Sequence, residues 1–155
     1  MIEVLFICLG NICRSPMAEA VMHQLVHEAG LDEHIRVDSV GVGAWHVGQP
    51  PHRGTQEVLR RHNIPYAGRA RQITADDIAH ADYLIAMDSE NVVDVRAMLP
   101  APADKHVHRL LDVARATGPR DVPDPYYDGS FDTVYHLVDA GCRGLLAHLR
   151  GEHNL

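Results

Sequence analysis

An almost entirely apolar segment, Ile2–Cys8, precedes a short loop and an amphipathic segment, and this pairing limits the fold more than any other feature. Continuous apolar runs of this length are typical of strands buried on both faces of a parallel sheet. Pro16 can occupy the first turn of the following helix, which is predicted to end at Gly30. The segment therefore predicts a central strand, a tight loop and a helix.

Strands and helices alternate along the rest of the chain. Further strands are predicted at Ile35–Val42, Tyr83–Met87 and Val107–Leu111, and further helices at Arg53–His62, Ala75–His80, Ser89–Leu99 and Phe131–Leu149. Residues 112–130 are predicted to form a long loop. The alternation predicts one doubly wound α/β domain over residues 1–155, with a mostly parallel sheet. Ligands of such folds bind beyond the carboxyl ends of the strands, where the loop after Cys8 lies.

The composition excludes several classes of protein. Hydrophobic residues make up 46% and charged residues 23%, which is typical of a globular protein and not of a disordered or fibrous one. Fourteen Lys and Arg against 21 Asp and Glu give a net charge of -7, which argues against binding to nucleic acid or acidic membranes. No membrane span or secretory leader is recognisable. We therefore expect a cytoplasmic protein that is a monomer or a weak homo-oligomer.

The loop Cys8–Pro16, with the sequence CLGNICRSP, carries the strongest chemical signal. Its backbone N–H groups can form an anion-binding nest beside the positive end of the next helix, and Arg14 can hold two phosphate oxygens. The same positive field stabilises a thiolate at Cys8, which makes it a nucleophile. Nucleotide-binding loops of the GxxxxGK[ST] and GxGxxG types are absent. The loop residues predicted to bind phosphate are Leu9, Gly10, Asn11, Ile12, Cys13 and Ser15.

An acid for the leaving group must come from another loop, because attack by a thiolate on a phosphoester releases an oxygen anion that needs a proton. Asp124 in the segment DPYY is the candidate, since a proline fixes the backbone beside it and two tyrosines supply an apolar wall. Asp121 and Asp128 lie close enough in sequence to compete for this role.

Five segments of the chain, in order, resemble the low-molecular-weight protein tyrosine phosphatases. They are VLFICLGNICRSPMAEAV, GVGAWH, ARQIT, AMDSEN and VPDPYYDG, and the similarity extends from Ile2 to about Arg150. The resemblance implies a four-stranded parallel sheet flanked by helices, in a flavodoxin-like three-layer arrangement. It also implies phosphotyrosine-containing proteins as substrates and no metal or organic cofactor.

The resemblance also implies a role for individual residues. Cys8 becomes the nucleophile that forms a phosphocysteine, and Arg14 the clamp for the phosphate. Asp124 becomes the acid for the leaving phenolate and then the base for the hydrolytic water. The remaining implied roles are Ser15 as stabiliser of the thiolate, Asn11 and Ser39 as supports of the loop, Asp88 as a brace for Arg14, and Trp45, Tyr126 and Tyr127 as aromatic walls around the phosphotyrosine ring.

The two other cysteines are predicted to differ in function. Cys13 lies on the same loop as Cys8, so a disulfide between them would block the nucleophile and protect it from irreversible oxidation. The alternative is a packed thiol without a redox function. Cys142 falls on the apolar face of the last helix and is predicted to be a core residue.

Histidine is abundant, with 12 residues, but its placement does not predict a metal site. The pair His23 and His27 falls on the polar face of a helix, and the pair His106 and His108 has no third ligand nearby in sequence. At one position a histidine is missing. Relatives often carry one just before the segment RARQ, whereas this chain has Gly68, so a hydrogen bond that supports the phosphate loop is either lost or replaced.

Three other functions compete with tyrosine phosphatase activity. Arsenate reduction on the same fold needs additional cysteines, and Tyr83–Leu99, where they would be sought, contains none. Arginine phosphatases tend to carry threonine at the position of Ile12, and an apolar side chain there favours a tyrosine ring. A phosphate-binding module without catalysis would need neither Cys8 nor Asp124, and the presence of both argues against it.

Overall fold

A computed structural model describes residues 1–99 and 107–155 and shows four strands in one sheet. The strands are β1 (Ile2–Cys8), β2 (Ile35–Gly41), β3 (Tyr83–Ala86) and β4 (Val107–Arg109). All neighbouring strands are parallel, in the order β2-β1-β3-β4, so β1 is paired on both sides. This confirms the predicted α/β fold. The strand order reverses direction between β1 and β3, and the carboxyl end of β1 therefore lies where such sheets bind ligands.

Helices cover both faces of the sheet. They are α1 (Arg14–Glu28), α2 (Arg53–Arg61), α3 (Ala75–His80), α4 (Ser89–Met98), α5 (Leu110–Val113), α6 (Pro125–Asp128) and α7 (Phe131–His153). Side chains alternate along β1, so that Val4, Phe6 and Cys8 join the core beneath α1 and α7. Leu5 and Ile7 join a second core on the other face. No helix in the described ranges is long and apolar enough to cross a membrane.

Two predicted elements in the second half of the chain were wrong in part. The strand that was predicted over Val107–Leu111 ends at Arg109, and Leu110 and Leu111 begin α5. Both leucines join the same core, and Leu110 packs against Gly141 of α7. A helix permits this, whereas a strand would direct neighbouring side chains to opposite faces of the sheet. Part of the predicted loop 112–130 is helical, in α5 and α6. The remaining boundaries agree within a few residues, and α7 continues to His153.

Candidate active site

The loop between β1 and α1 folds back over the sulfur of Cys8. The backbone N–H of Asn11 donates to Cys8 Sγ over 3.3 Å, and Ser15 Oγ lies 3.0 Å from the same sulfur. Asn11 has a φ of 57°, a left-handed conformation that asparagine tolerates better than most residues. Cys8 is only 2% exposed. The sulfur is thus held at the base of the loop by hydrogen-bond donors.

Neighbouring backbone segments hold this loop close to the end of β2. The N–H of Val42 donates to the Cys8 carbonyl and the N–H of Gly43 to the Leu9 carbonyl, each over 2.9 Å. A β-carbon at Gly41 would lie 3.0 Å from the backbone nitrogen of Asn11. This approach leaves little room for a side chain at position 41, so a glycine is needed there.

The side chain of Asn11 connects the loop to the rest of the fold. Its Nδ2 donates to Ser15 Oγ over 2.8 Å and to Ser39 Oγ over 3.0 Å, while its Oδ1 accepts from the backbone N–H of Arg71 over 3.0 Å. Asn11, Ser15 and Ser39 are all buried, and their side chains lie behind the loop and not in the cleft in front of it. They are placed to hold the loop in shape.

Arg14 points into the cleft from the first turn of α1 and is 3% exposed. One terminal nitrogen donates to Asp88 Oδ2 over 2.5 Å and to the Val122 carbonyl over 2.9 Å, and the other lies 3.6 Å from Asp124 Oδ2. Burial disfavours the charged guanidinium, but Cys8, Asp88 and Asp124 outweigh it and raise the pKa of Arg14. A permanent positive charge therefore lies between two carboxylates beside the sulfur.

Of the three competing aspartates, only Asp124 lines the cleft. It precedes α6, where Oδ1 accepts the backbone N–H two residues ahead over 3.0 Å and leaves Oδ2 directed at Arg14. Asp121 instead accepts hydrogen bonds from Ser89 and Arg109, and Asp128 accepts one from the Ser130 hydroxyl. Location in the fold, and not local sequence, separates the three.

The cleft has a volume of about 260 Å³, with Cys8 at its base. Gly10, Ile12 and Cys13 line its lower part. The aromatic side chains that were predicted as walls stand at its rim, and their exposed fractions are 70% for Trp45, 49% for Tyr126 and 81% for Tyr127. Leu9 also lines the cleft. The cleft therefore combines a charged base with an aromatic entrance.

His46 also lines this cleft, although the sequence patterns did not indicate it. Its Cδ2 lies 3.0 Å from the position that a β-carbon of Gly10 would occupy, and its ring centroid lies 6.2 Å from that of Tyr126. The available signal was its position beside Trp45 in the segment GVGAWH. Glu19, which accepts a hydrogen bond from Ser39, was missed as well, and nothing in its local sequence marks it.

All three cysteines are free and buried. Cys142 packs in the core as predicted. Burial, together with the nearby Cys8 and Asp124, raises the pKa of Cys13 to about 12 despite the opposing charge of Arg14. Cys13 is therefore a neutral thiol at physiological pH, on the same cleft as Cys8.

Three of the four histidines that were considered as metal ligands, His23, His27 and His108, do not line the cleft. His23 and His27 are exposed on α1, and His27 contacts Asp32. His106 lies outside the described residues. Within residues 1–99 and 107–155, no group of three or more His, Cys, Asp or Glu side chains is arranged to hold a metal ion.

Comparison with known proteins identifies the family of the chain. The family model described as low molecular weight phosphotyrosine protein phosphatase matches residues 3–155. The chain belongs to this family. The predicted family is thereby confirmed, and with it the predicted enzyme class.

Curated relatives within the low-molecular-weight phosphatases match the chain from end to end. The low molecular weight protein-tyrosine-phosphatase YfkJ of Bacillus subtilis is 50% identical and is covered over 100% of both chains. PtpA of Staphylococcus epidermidis is 42% identical, over 100% of this chain and 98% of its own.

Solved structures agree with this assignment. The YfkJ crystal structure superposes with a TM-score of 0.95 over 99% of this chain and 97% of its own, at 50% identity. A Drosophila arginine phosphatase gives a TM-score of 0.88 over 97% of this chain and 98% of its own, at 31% identity.

Proposed function

We propose that the protein hydrolyses phosphotyrosine and other aryl phosphate monoesters through a phosphocysteine on Cys8. The observation that carries this proposal is the convergence of Cys8, Arg14 and Asp124 on one cleft, with Arg14 3.6 Å from Asp124. A nucleophile, a cation for the phosphate and a proton donor are the groups that phosphoryl transfer to a thiolate requires. Residues 1–155 would form one catalytic domain.

The first step transfers the phosphoryl group to the enzyme. The Cys8 thiolate, stabilised by Ser15 and the N–H of Asn11, attacks phosphorus, so that an S–P bond forms while the P–O bond to the aryl group breaks. Arg14 and the loop N–H groups bind the phosphoryl oxygens, where charge accumulates in the transition state. Asp124 gives its proton to the leaving phenolate oxygen.

The second step regenerates the enzyme. Asp124, now a carboxylate, takes a proton from a water molecule, and the resulting hydroxide attacks phosphorus. The S–P bond breaks, inorganic phosphate leaves, and Cys8 returns to its thiolate form. Asp88 and the Val122 carbonyl keep the guanidinium of Arg14 in place through both steps.

The shape of the cleft favours an aromatic substrate. Trp45, Tyr126 and Tyr127 can flank a phenyl ring at the entrance, and Ile12 gives the lower wall an apolar side chain. Phosphoarginine would instead place a charged guanidinium against the apolar side chain of Ile12, which costs desolvation energy. Phosphotyrosine-containing proteins are therefore the proposed partners.

The test is phosphate release from matched phosphotyrosine, phosphoserine and phosphoarginine peptides under reducing conditions. We expect release from phosphotyrosine that is lost in Cys8→Ser, because a serine hydroxyl is a far weaker nucleophile than a thiolate. Rapid quenching during turnover should yield a wild-type protein heavier by one phosphoryl group, and the Cys8→Ser variant should show no such gain in mass. Release that survives Cys8→Ser, or faster release from phosphoarginine, would contradict the proposal.

The proposed function includes a redox response. Peroxide would oxidise the Cys8 thiolate to a sulfenic acid, and the Cys13 thiol would attack that sulfur, release water and form a disulfide. The two residues line one cleft, which supports this step. Three free cysteines and a nucleophile that must stay reduced also favour a cytoplasmic location, for an enzyme that acts as a monomer or a weak homo-oligomer.

A further inference from the structure

A half-buried carboxyl group, that of Glu19 on α1, accepts two hydrogen bonds on the side of the loop away from the cleft. The Ser39 hydroxyl on β2 donates to Glu19 Oε1 over 2.6 Å, and the Tyr66 hydroxyl donates to the same oxygen over 3.0 Å. Tyr66 lies between α2 and α3 and does not line the cleft. Two segments outside α1 therefore hold Glu19.

The amide of Asn11 fixes the direction of the hydrogen bonds between these groups and the loop. Because a backbone N–H can only donate, the bond from Arg71 identifies the acceptor end of the amide as Oδ1. Its Nδ2 must then donate to both Ser39 Oγ and Ser15 Oγ. Each serine oxygen therefore has its own proton left to donate elsewhere.

Those two remaining protons have defined acceptors. The proton of Ser39 goes to Glu19. The proton of Ser15 is shared between Cys8 Sγ, at 3.0 Å, and the Val40 carbonyl, at 3.3 Å. A continuous series of hydrogen bonds thus leads from the Tyr66 hydroxyl to the nucleophile, and it requires that Glu19 act as an acceptor.

Charges and hydroxyls around Glu19 determine how readily it ionises, and therefore how strongly it accepts. Burial raises the pKa of Glu19, the hydroxyls of Ser39 and Tyr66 lower it, Asp38 raises it and His23 lowers it, and the net direction is upward. Burial also raises the pKa of Tyr66, so its hydroxyl stays protonated and remains a donor. Glu19 consequently takes up a proton at a higher pH than an exposed glutamate does.

The position of Tyr66 depends on the absence of a side chain at Gly68. A β-carbon there would lie 2.3 Å from the tyrosine hydroxyl and 2.5 Å from the ring carbon that carries it. Both distances are shorter than real β-carbon contacts. Gly68 therefore leaves the space in which the Tyr66 hydroxyl reaches Glu19.

We propose that Tyr66 is a positioning residue for Cys8, and that it acts by keeping Glu19 available as the hydrogen-bond acceptor of Ser39. An ionised Glu19 holds Ser39, the Asn11 amide and the Ser15 hydroxyl in the one arrangement that directs a proton at the sulfur. A protonated Glu19 is a weaker acceptor than a carboxylate, so it holds the Ser39 hydroxyl less firmly and that arrangement is loosened. The activity readout rests on the proposed phosphatase function, whereas the reactivity of the thiol does not.

The pH dependence of kcat/KM for an aryl phosphate tests this proposal in Tyr66→Phe, which keeps the ring and removes the hydroxyl. Loss of that donor raises the pKa of Glu19 further. As the pH is lowered, kcat/KM of the variant should therefore begin to fall at a higher pH than kcat/KM of the wild type. We expect a loss of about tenfold near pH 5 and of less than about twofold near pH 8, as for a hydrogen bond to a charged group.

Tyr83→Phe is the matched control, because the Tyr83 hydroxyl lies 2.8 Å from Nε2 of the exposed His153, at the opposite end of β3 from the cleft. Its pH profile should match that of the wild type. Gly68→Ala is a second route to the same change, since it displaces the Tyr66 hydroxyl without removing it. It should reproduce the shift that Tyr66→Phe causes.

A purely structural function of Tyr66 predicts a different pattern. In that case the loss of activity would be equal at both pH values, and it would persist in a Glu19→Gln background. The glutamine in that background accepts hydrogen bonds but does not titrate, so our proposal requires that Tyr66→Phe have no pH-dependent effect there. Equal losses at both pH values, or a pH-dependent effect that persists in the Glu19→Gln background, overturn the proposal.

Alkylation of Cys8 by iodoacetamide, followed by site-resolved mass spectrometry, separates this proposal from the phosphatase function. Tyr66→Phe should slow alkylation near pH 5 by about as much as it lowers kcat/KM, and hardly at all near pH 8. If the wild type hydrolyses no phosphotyrosine, the proposed function fails while this measurement still decides about Tyr66. An unchanged alkylation rate in an active enzyme overturns the positioning function alone.

Discussion

Asp88 holds the guanidinium of Arg14 from a position 74 residues further along the chain, through a hydrogen bond of 2.5 Å. Its second oxygen caps α4 by accepting the N–H of Asn91 over 2.8 Å. One aspartate thus orients the proposed phosphate clamp and starts a helix.

Asp88→Asn separates these two functions, because asparagine caps helices about as well as aspartate but carries no charge. We expect kcat/KM for an aryl phosphate to fall by about tenfold, since Arg14 loses a charge-assisted partner, with little change in the melting temperature. Steady-state kinetics and thermal unfolding check this. Asp121→Asn is the control, since Asp121 contacts Ser89 and not Arg14. A large drop in stability with normal kinetics would contradict the expected separation.

Asp124→Asn should remove proton donation to the leaving group. We expect a loss of about 100-fold or more in the rate at which phenyl phosphate phosphorylates the enzyme, and a much smaller loss for p-nitrophenyl phosphate, whose leaving group needs no proton. Phosphorylation of the enzyme by each substrate, followed by rapid quenching, measures this difference. Asp128→Asn is the control, because Asp128 is a nearby carboxylate that accepts a hydrogen bond from Ser130 instead. It should leave both rates unchanged. Equal losses for both substrates would show that Asp124 is not the acid.

Ile12→Thr should weaken the preference for an aromatic substrate, because it places a hydroxyl on the lower wall of the cleft. The ratio of phosphoarginine to phosphotyrosine hydrolysis should rise by about tenfold, in line with the worth of one hydrogen bond to a charged group. Ile12→Val has nearly the same shape as threonine without the hydroxyl, so it controls for the change in size. If the ratio rises equally in both variants, the smaller size of the side chain causes the effect and the hydroxyl does not.

Cys13→Ser should make oxidative inactivation irreversible. In the wild type, peroxide should inactivate the enzyme and a thiol reductant should restore it, because a disulfide between Cys8 and Cys13 protects the sulfenic acid. Without Cys13, further oxidation to the sulfinic acid prevents recovery. Activity before and after reduction, together with intact mass, measures this. Cys142→Ala should behave as the wild type, and full recovery of Cys13→Ser would rule out Cys13 as the resolving thiol.

The sequence allowed prediction of features that depend on contiguous residues. The buried strand Ile2–Cys8 is apolar along its length, and the loop after it brings Cys8 and Arg14 together within a single turn of chain. Both the parallel sheet and this loop follow from local patterns. Asp124 could not be separated from Asp121 and Asp128 by spacing, because only the folded loop directs one of them at Arg14.

Two features that depend on contacts between distant segments were not predicted. The bond between Glu19 and Tyr66 joins residues 47 positions apart, and neither lies in a recognisable motif for it. The strand predicted over Leu110 and Leu111 failed for a similar reason, since the packing of Leu110 against Gly141 of α7 decides their conformation. In both cases the contacting residue, Tyr66 or Gly141, lies far away in the sequence.

The close approach of Gly68 to the Tyr66 hydroxyl links the evolutionary history of the two positions. Any side chain gained at 68 overlaps the tyrosine, and any loss of the tyrosine leaves Glu19 without its second donor unless a new group arrives at the same time. The side chain at one of these positions therefore influences which side chains fit at the other. We expect relatives with a larger residue at 68 to lack tyrosine at 66. Relatives with glycine at 68 should carry a long side chain at 66 that occupies the space beside the glycine.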